Sequence, residues 1–307
     1  MNILISGIGK RNSLINLMRL EAKNYGLHII GCDSNSFPPA KLAVEKFYQL
    51  PYAHENNFVD TYINLIKTER IEAFLTLIDP EIPRLSNIHE FTNSRAFHPV
   101  KSVALLCEDK FEFAKAAEFE SISTIPTSSE PLNVYPFISK DRFGSAASGF
   151  RIYKDNSEEI VINKKNIIYQ PFCNGRHYCV DAYVSYYSNQ LIDLCIKEVV
   201  SKSKGESFLL KSVNSSKIVK FIEEICSWIS LRGIVNFDVY EENGVLKLME
   251  INCRFGGNYP ASHAFGCNLI QYLYMEILNK NACKPNYSSY KPDQFVAKYF
   301  EFSVSAS

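Results

Sequence analysis

Residues 233–259, GIVNFDVYEENGVLKLMEINCRFGGNY, decide the fold. They read as a β-hairpin, with strands over 234–241 and 245–252 and Glu242-Asn243-Gly244 at the turn. Two registers are open. A two-residue turn puts Asp238 opposite Met249 and sends Glu250 to the other face. A three-residue loop, with Gly244 in the left-handed region, puts Asn236 opposite Glu250. Side chains alternate along a strand. The second register therefore gathers Asn236, Asp238, Glu250 and Asn252 on one face and Val235, Phe237, Val239, Met249 and Ile251 on the other. That separation is the cleaner one and selects the three-residue loop. Two carboxylates and two amides this close repel unless a cation joins them. A hard divalent ion takes oxygen ligands of this kind, Mg²⁺ using one or two carboxylates and completing its shell with water and phosphate oxygens. Arg254 extends the polar face, and Gly256-Gly257 lets backbone come close to a ligand. The plainer alternative is a solvent-facing polar hairpin.

Upstream, Gly144-Ser145-Ala146-Ala147-Ser148-Gly149 leaves backbone N–H groups uncovered, and a run of such groups makes an anion nest. Lys140 precedes it on a strand, one cation at the root of a phosphate-covering flap. The first hundred residues read as an α/β unit. A strand over 2–6, the turn Gly7-x-Gly9, a helix to about Tyr25 and a strand over 27–32 ending at Asp33 outline a dinucleotide site, but Asn12 stands at the third glycine position. A parallel sheet with a tight turn is the better reading. Helices are expected over 41–47 and 57–68 and a buried strand over 73–77. Asp79-Pro80-Glu81 then lies where open α/β sheets place ligand groups. It either faces an acceptor amine or caps a helix, with Pro80 at the first position. Residues 94–99 read as a connector, a helix begins at Val103, residues 270–274 belong to a packing helix, and 294–304 form a last strand.

These pieces resemble a family. Glu250-Ile251-Asn252-Cys253-Arg254, with Asp238 twelve residues before Glu250, is similar to the metal-binding end of the ATP-grasp fold. The closest style is that of the biotin carboxylase and carbamoyl-phosphate synthetase large-subunit branch, with its small carboxylate–amine ligase relatives. Asp109-Lys110 opening a helix, followed by Ile125-Pro126-Thr127, resembles the family's DK…IPT stretch. Phe137-Ile138-Ser139-Lys140, leading into the glycine–serine loop, resembles the strand lysine and phosphate loop. Tyr169-Gln170-Pro171-Phe172 and then Gly175-Arg176-His177 resemble the interdomain hinge and the strand after it. Nearly the whole chain is covered. There are departures: Asp141 replaces the usual proline after the strand lysine, Gln170 the hinge glutamate, and His177 a glutamate common in amine ligases.

The resemblance implies an α/β fold, a Rossmann-like parallel sheet over 1–100 followed by a two-lobed ATP-grasp module, with a small lobe over 101–170 and a large lobe over 171–307. It implies ATP and Mg²⁺, with Mn²⁺ as a substitute. Asp238, Glu250 and Asn252 would hold the metal. Lys110, Lys140, Gly144, Ser145, Ser148, Gly149, Gln170 and Phe172 would bind the nucleotide, and His177 the ribose. Lys197 or Lys202 would add a phosphate contact. Arg254 would orient a substrate carboxylate, and Lys140 would also serve in catalysis. The implied enzyme is an ADP-producing carboxylate–amine ligase working through an acyl phosphate. The alternatives are a bicarbonate-phosphorylating carboxylase or carbamoyl-phosphate synthetase-like enzyme, and a non-catalytic nucleotide-binding protein. The partners would be small-molecule carboxylates and amines, and a homodimer is compatible with the family.

Composition agrees. The 307 residues are 46% hydrophobic and 21% charged, enough for full-size cores. Lys+Arg and Asp+Glu balance at 33 each, so no global basic field exists to hold nucleic acid. Nine cysteines, an odd number without CxxC spacing, point to free thiols in a reducing cytoplasm. No stretch nears the roughly 18 apolar residues of a membrane span, and the first residues show no basic leader.

Overall fold

The computed structural model describes residues 1–144, 149–158, 160, 166–203, 206–287 and 289–299. Three sheets organise it. The first is parallel, with order β3-β2-β1-β4-β5. It is built from β1 (Asn2–Ser6), β2 (His28–Asp33), β3 (Lys46–Gln49), β4 (Ile71–Thr76) and β5 (Arg95–Ala96). Its central strands are continuous apolar runs because both of their faces are covered, as parallel sheets require. The helices beside it are α1 (Asn12–Asn24) and α2 (Phe58–Thr68). The helix expected over 41–47 is not formed. A single 3₁₀ turn, Pro39–Ala43, gives way to edge strand β3, because Phe47 and Tyr48 favour a pleated surface and pair with β2. Nor does Asp79 cap a helix. It sits inside the 3₁₀ turn Asp79–Glu81, before the short helix α3 (Ile82–Leu85).

Helices α4 (Lys101–Glu108) and α5 (Lys110–Phe119) lead into a small antiparallel sheet, order β7-β6-β8. It consists of β6 (Phe137–Asp141), β7 (Arg151–Tyr153) and β8 (Ile167–Pro171). The third sheet is antiparallel, order β13-β12-β9-β10-β11-β14. Its strands are β9 (Arg176–Val184), β10 (Leu191–Ser203), β11 (Glu206–Ser212), β12 (Gly233–Glu242), β13 (Val245–Asn252) and β14 (Phe295–Ala297). Helix α6 (Ser216–Trp228) joins α4 and α5 on one face, and α7 (Tyr259–Ala264) and α8 (Leu269–Asn279) cover the other.

The core on the α7–α8 side does not stop at the first sheet. Ile3, Ile5, Leu14, Ile15 and Met18 pack in one buried cluster with Tyr183, Phe255, Tyr259, Ile270 and Tyr274. The Tyr274 hydroxyl donates to the Met18 carbonyl at 2.9 Å. Residues from both ends of the chain thus bury each other.

The decisive hairpin differs from expectation in its register. Glu242 pairs with Val245, so the turn is the two residues Asn243-Gly244, at φ 50° and 76°. This is the left-handed pair that hairpin twist favours. Asp238 nevertheless faces Glu250, and Asn236 faces Asn252. The reconciling feature is a β-bulge. Val239 pairs with Leu248 and Asp238 with Glu250, which leaves Met249 as the extra residue. The bulge restores the polar face that a regular two-residue hairpin would have split.

Candidate active site

The bulge places Asp238 and Glu250 side by side on neighbouring strands, with Asn236 and Asn252 one step along. His177 reaches Asp238 from β9, its Nε2 at 2.7 Å from Oδ1. Its ring lies flat on Tyr240, centroids 4.7 Å apart and 9° from parallel, because the two residues are cross-strand partners. Burial alone would push the Asp238 carboxyl up. The hydrogen bond and charge of His177, with Lys202 and Lys140 nearby, more than offset it and hold it below the usual range. His177 Nδ1 is buried without a partner among the described residues.

Lys140 faces this pair from β6 and is 7% exposed. Burial pulls its ammonium below the ordinary lysine value, Glu250 and Asp238 pull the other way, and the charge of Lys110 adds to the lowering. Lys110 stands at the first turn of α5. Asp109 caps that helix through the N–H groups of Phe111 and Glu112 and clasps Arg142 at 2.7 and 2.6 Å. Lys110 Nζ donates to the Gly144 carbonyl at 2.5 Å. The expected phosphate loop continues through Ser145 and Ser148, which lie outside the described residues. At its far end Gly149 has φ +66°, and a Cβ there would stand 2.3 Å from Asp141 Oδ1. On β8, Gln170 is buried. Its Nε2 donates to Thr127 Oγ1 at 2.8 Å, while Oε1 is unpartnered among the described residues. Phe172 follows, 36% exposed.

Three expectations need correction. Arg254 is not free to meet a substrate. It is 9% exposed, Nε donates to Asp79 Oδ2 at 2.8 Å, Nη2 to Asn252 Oδ1 at 3.0 Å, and Nη1 to the Phe255 carbonyl at 3.1 Å. A substrate carboxylate would have to displace Asp79. Lys197 cannot reach a phosphate either: it is fully buried against Asp181. Of the two lysines left open, Lys202 is the one whose charge acts on Asp238. Glu81 does not face an acceptor, since its buried carboxylate accepts from Ser6 Oγ and Thr76 Oγ1.

Reading the sequence missed Asp79 as the partner of Arg254, along with Asp181 and Arg11. Arg11 donates to the Phe255 and Leu77 carbonyls at 3.0 and 3.3 Å. Burial first, then repulsion from Arg254, lowers its pKa to about 10. Only the position of Asp79 at a sheet edge gave a signal.

The donor set fits a hard divalent cation of the kind the fold uses. Asp238 Oδ1 meets His177 and Glu250 Oε1 accepts from Asn252 Nδ2 at 3.4 Å, which leaves the other oxygen of each for it. The Asn252 carbonyl oxygen has two acceptor positions, of which Arg254 takes one. Among the described residues no cluster of three or more His, Cys, Asp or Glu side chains closes a metal shell by itself. Phosphate oxygens and water would complete it. A cleft of about 630 Å³ at the outer edge of the first sheet, lined by Lys67, Arg70, Arg95 and Lys280 among others, contains none of these residues. No helix among the described residues is long and apolar enough to cross a membrane.

Comparison with known proteins bears on the fold. Residues 3–98 match the family model "PylC-like, N-terminal domain" and residues 107–258 match "ATP-grasp domain". No curated protein sequence matches significantly. Among solved structures, Rhizobium etli pyruvate carboxylase aligns with a TM-score of 0.73 at 12% identity over 96% of this chain, which spans 30% of that protein's length. The L-amino acid ligase from Bacillus licheniformis aligns at 0.71 and 18% identity, over 90% of this chain and 74% of that one. The biotin carboxylase domain of Hydrogenobacter thermophilus 2-oxoglutarate carboxylase, solved with MgADP and bicarbonate, aligns at 0.74 and 11%, over 96% and 73%. At these identities the likeness is one of fold.

Proposed function

The chain carries an ATP-grasp domain behind a PylC-like N-terminal domain, and from that premise we propose that it is an ATP-dependent carboxylate–amine ligase releasing ADP and phosphate. The observation that carries this reading is the Asp238–Glu250 pair, brought face to face by the bulge and met by the buried Lys140. A bound Mg²⁺ would neutralise phosphate charge and hold the transferring phosphoryl group in line. His177 keeps Asp238 ionised and oriented. Lys140 and Lys110 supply positive charge where the phosphates would lie, and Lys202 adds to it. The deep placement of Lys140 disfavours its charge but, by excluding water, strengthens the attraction of the protonated ammonium for a phosphate.

In the proposed reaction a substrate carboxylate oxygen attacks the γ-phosphorus, the bond to the bridging oxygen breaks, and ADP leaves. An amine then attacks the acyl carbon, phosphate departs with the bonding pair, and the amine loses a proton to solvent. The residues act by positioning and charge, without a protein nucleophile. Arg254 would meet the carboxylate only after Asp79 lets go, so Asp79 is a candidate for the amine side.

Phosphorus NMR of product mixtures, with amino acids and amines screened for ADP release, tests the reading. ADP and phosphate are expected, and pyrophosphate would overturn it. Glu250→Ala is expected to lower turnover at least ~100-fold, about 2.7 kcal/mol of transition-state stabilisation. Full activity in folded Glu250→Ala protein would remove the metal assignment.

A further inference from the structure

Behind the hairpin lies a buried charge pair that no step above uses. Lys197, on β10, is fully buried. Its ammonium donates to the Asp181 carboxylate, to Ser262 Oγ at 2.8 Å and to the Asn258 carbonyl at 3.5 Å. Ser262 Oγ donates in turn to Asp181 Oδ2 at 2.7 Å. Burial would lower the ammonium, but Asp181 overrides it and keeps Lys197 charged. Asp181 Oδ1 accepts from Asn236 Nδ2 at 2.9 Å. Asn236 Oδ1 accepts from Asn252 Nδ2 at 3.3 Å, and Asn252 Oδ1 accepts from Arg254 Nη2 at 3.0 Å.

We propose that Asp181, held by Lys197, is a positioning residue that, together with Arg254 at the other end of the relay, fixes the sense of the Asn252 amide beside the cation side of the hairpin. This rests on the reading that Asp238, Glu250 and Asn252 face a divalent cation. An ionised carboxylate can only accept, and a guanidinium can only donate. Two amides strung between them have one consistent polarity. Asn236 must turn its NH₂ inward to Asp181 and its oxygen toward β13. Asn252 must then turn its NH₂ to Asn236, where it also reaches Glu250 Oε1 at 3.4 Å, and its oxygen to Arg254. An amide in the opposite sense would set N–H groups against the Arg254 guanidinium and withdraw the oxygen that Asn252 would share between Arg254 and the cation. Gly256 closes the relay from above. A Cβ there would stand 2.6 Å from Asp181 Oδ1 and 2.8 Å from Asn236 Nδ2, so the close approach that glycine permits is to this relay.

The test is Mn²⁺ affinity in the presence of ADP, followed by electron paramagnetic resonance, in a double-mutant cycle of Asp181→Asn and Asn252→Asp. An amide at 181 can donate as well as accept, so the polarity signal is lost. A carboxylate at 252 offers oxygen in either orientation, so the signal is no longer needed. Asp181→Asn is expected to weaken Mn²⁺ binding about tenfold in the Asn252 protein and by less than about twofold in the Asn252→Asp protein. Equal losses in both backgrounds would mean a merely structural role, and no loss in either would mean the relay is idle. Both overturn the proposal. Failure of the unsubstituted protein to bind Mn²⁺ would instead overturn the metal reading beneath it. Asp181→Asn leaves Lys197 buried and unpaired, which threatens folding. The variant Asp181→Asn with Lys197→Met removes both charges and carries the same comparison.

Discussion

His177 and Lys140 bracket the Asp238–Glu250 pair, and their environments give the site its pH behaviour. Lys140 sits below the ordinary lysine value of 10.5 because burial disfavours its charge. It can neutralise phosphate only when protonated. The kcat/KM for ATP, which reports the free enzyme, is therefore expected to fall along an alkaline limb whose midpoint lies below 10.5. In Lys140→Arg protein, whose guanidinium holds its proton, that limb should vanish from the accessible range, and an unchanged limb would assign it elsewhere. The sign for stability is opposite. Between the two pKa values the unfolded chain binds more protons, so Lys140 makes folding more favourable as pH rises through that window. The polar types at 238, 250 and 252 were legible in the sequence because carboxylates and amides seldom line one strand face without a partner. That Arg254 is already paired with Asp79 was not, because Asp79 lies 175 residues away.

The hairpin shows how an element can be read correctly in content and wrongly in geometry. Alternation identified which side chains share a face, yet it could not distinguish a three-residue loop from a two-residue turn with a bulge. Each supplies one extra residue to the hairpin, and only packing chooses where. Here the inner face, with Phe237, Val239, Leu248 and Ile251 buried, takes Val239 against Leu248 and leaves Met249 over. The turn itself is testable. Gly244 has φ +76° with open space around its α-carbon, so Gly244→Ala meets no clash and costs only backbone strain. A loss of about 1–2 kcal/mol in urea unfolding is expected, the penalty of a left-handed L-residue. A neutral result would show that the turn relaxes to another type. Similarly, residues 41–47 read as a helix, yet Lys46 and Phe47 join an edge strand because β2 offers them a partner.

Across the whole molecule, the first sheet and the large lobe share a core through Ile3, Met18, Tyr183 and Tyr274, and the Arg254–Asp79 pair ties them at the site. Calorimetry is expected to show one cooperative transition in which the first hundred residues melt with the rest. A separate early transition would mean that the shared core adds little coupling. The sequence alone determined the class of most elements: the parallel α/β beginning, the polar hairpin, helical structure from Val103 through Lys110, and the residue types that a phosphate and a cation require. These follow from periodicity and side-chain chemistry within a few residues, and local signals carry them. That this helix breaks at Asp109, which caps a second one, came from the structure. Only the tertiary structure decided the register of the hairpin, the occupation of Arg254 by Asp79, the removal of Lys197 from the phosphate side, and the relay from Asp181 to Asn252. The register depends on how the inner apolar face packs, and the others on which distant side chain fills a buried donor or acceptor. A buried polar group must find a partner wherever the fold brings one, and no local pattern says where that will be.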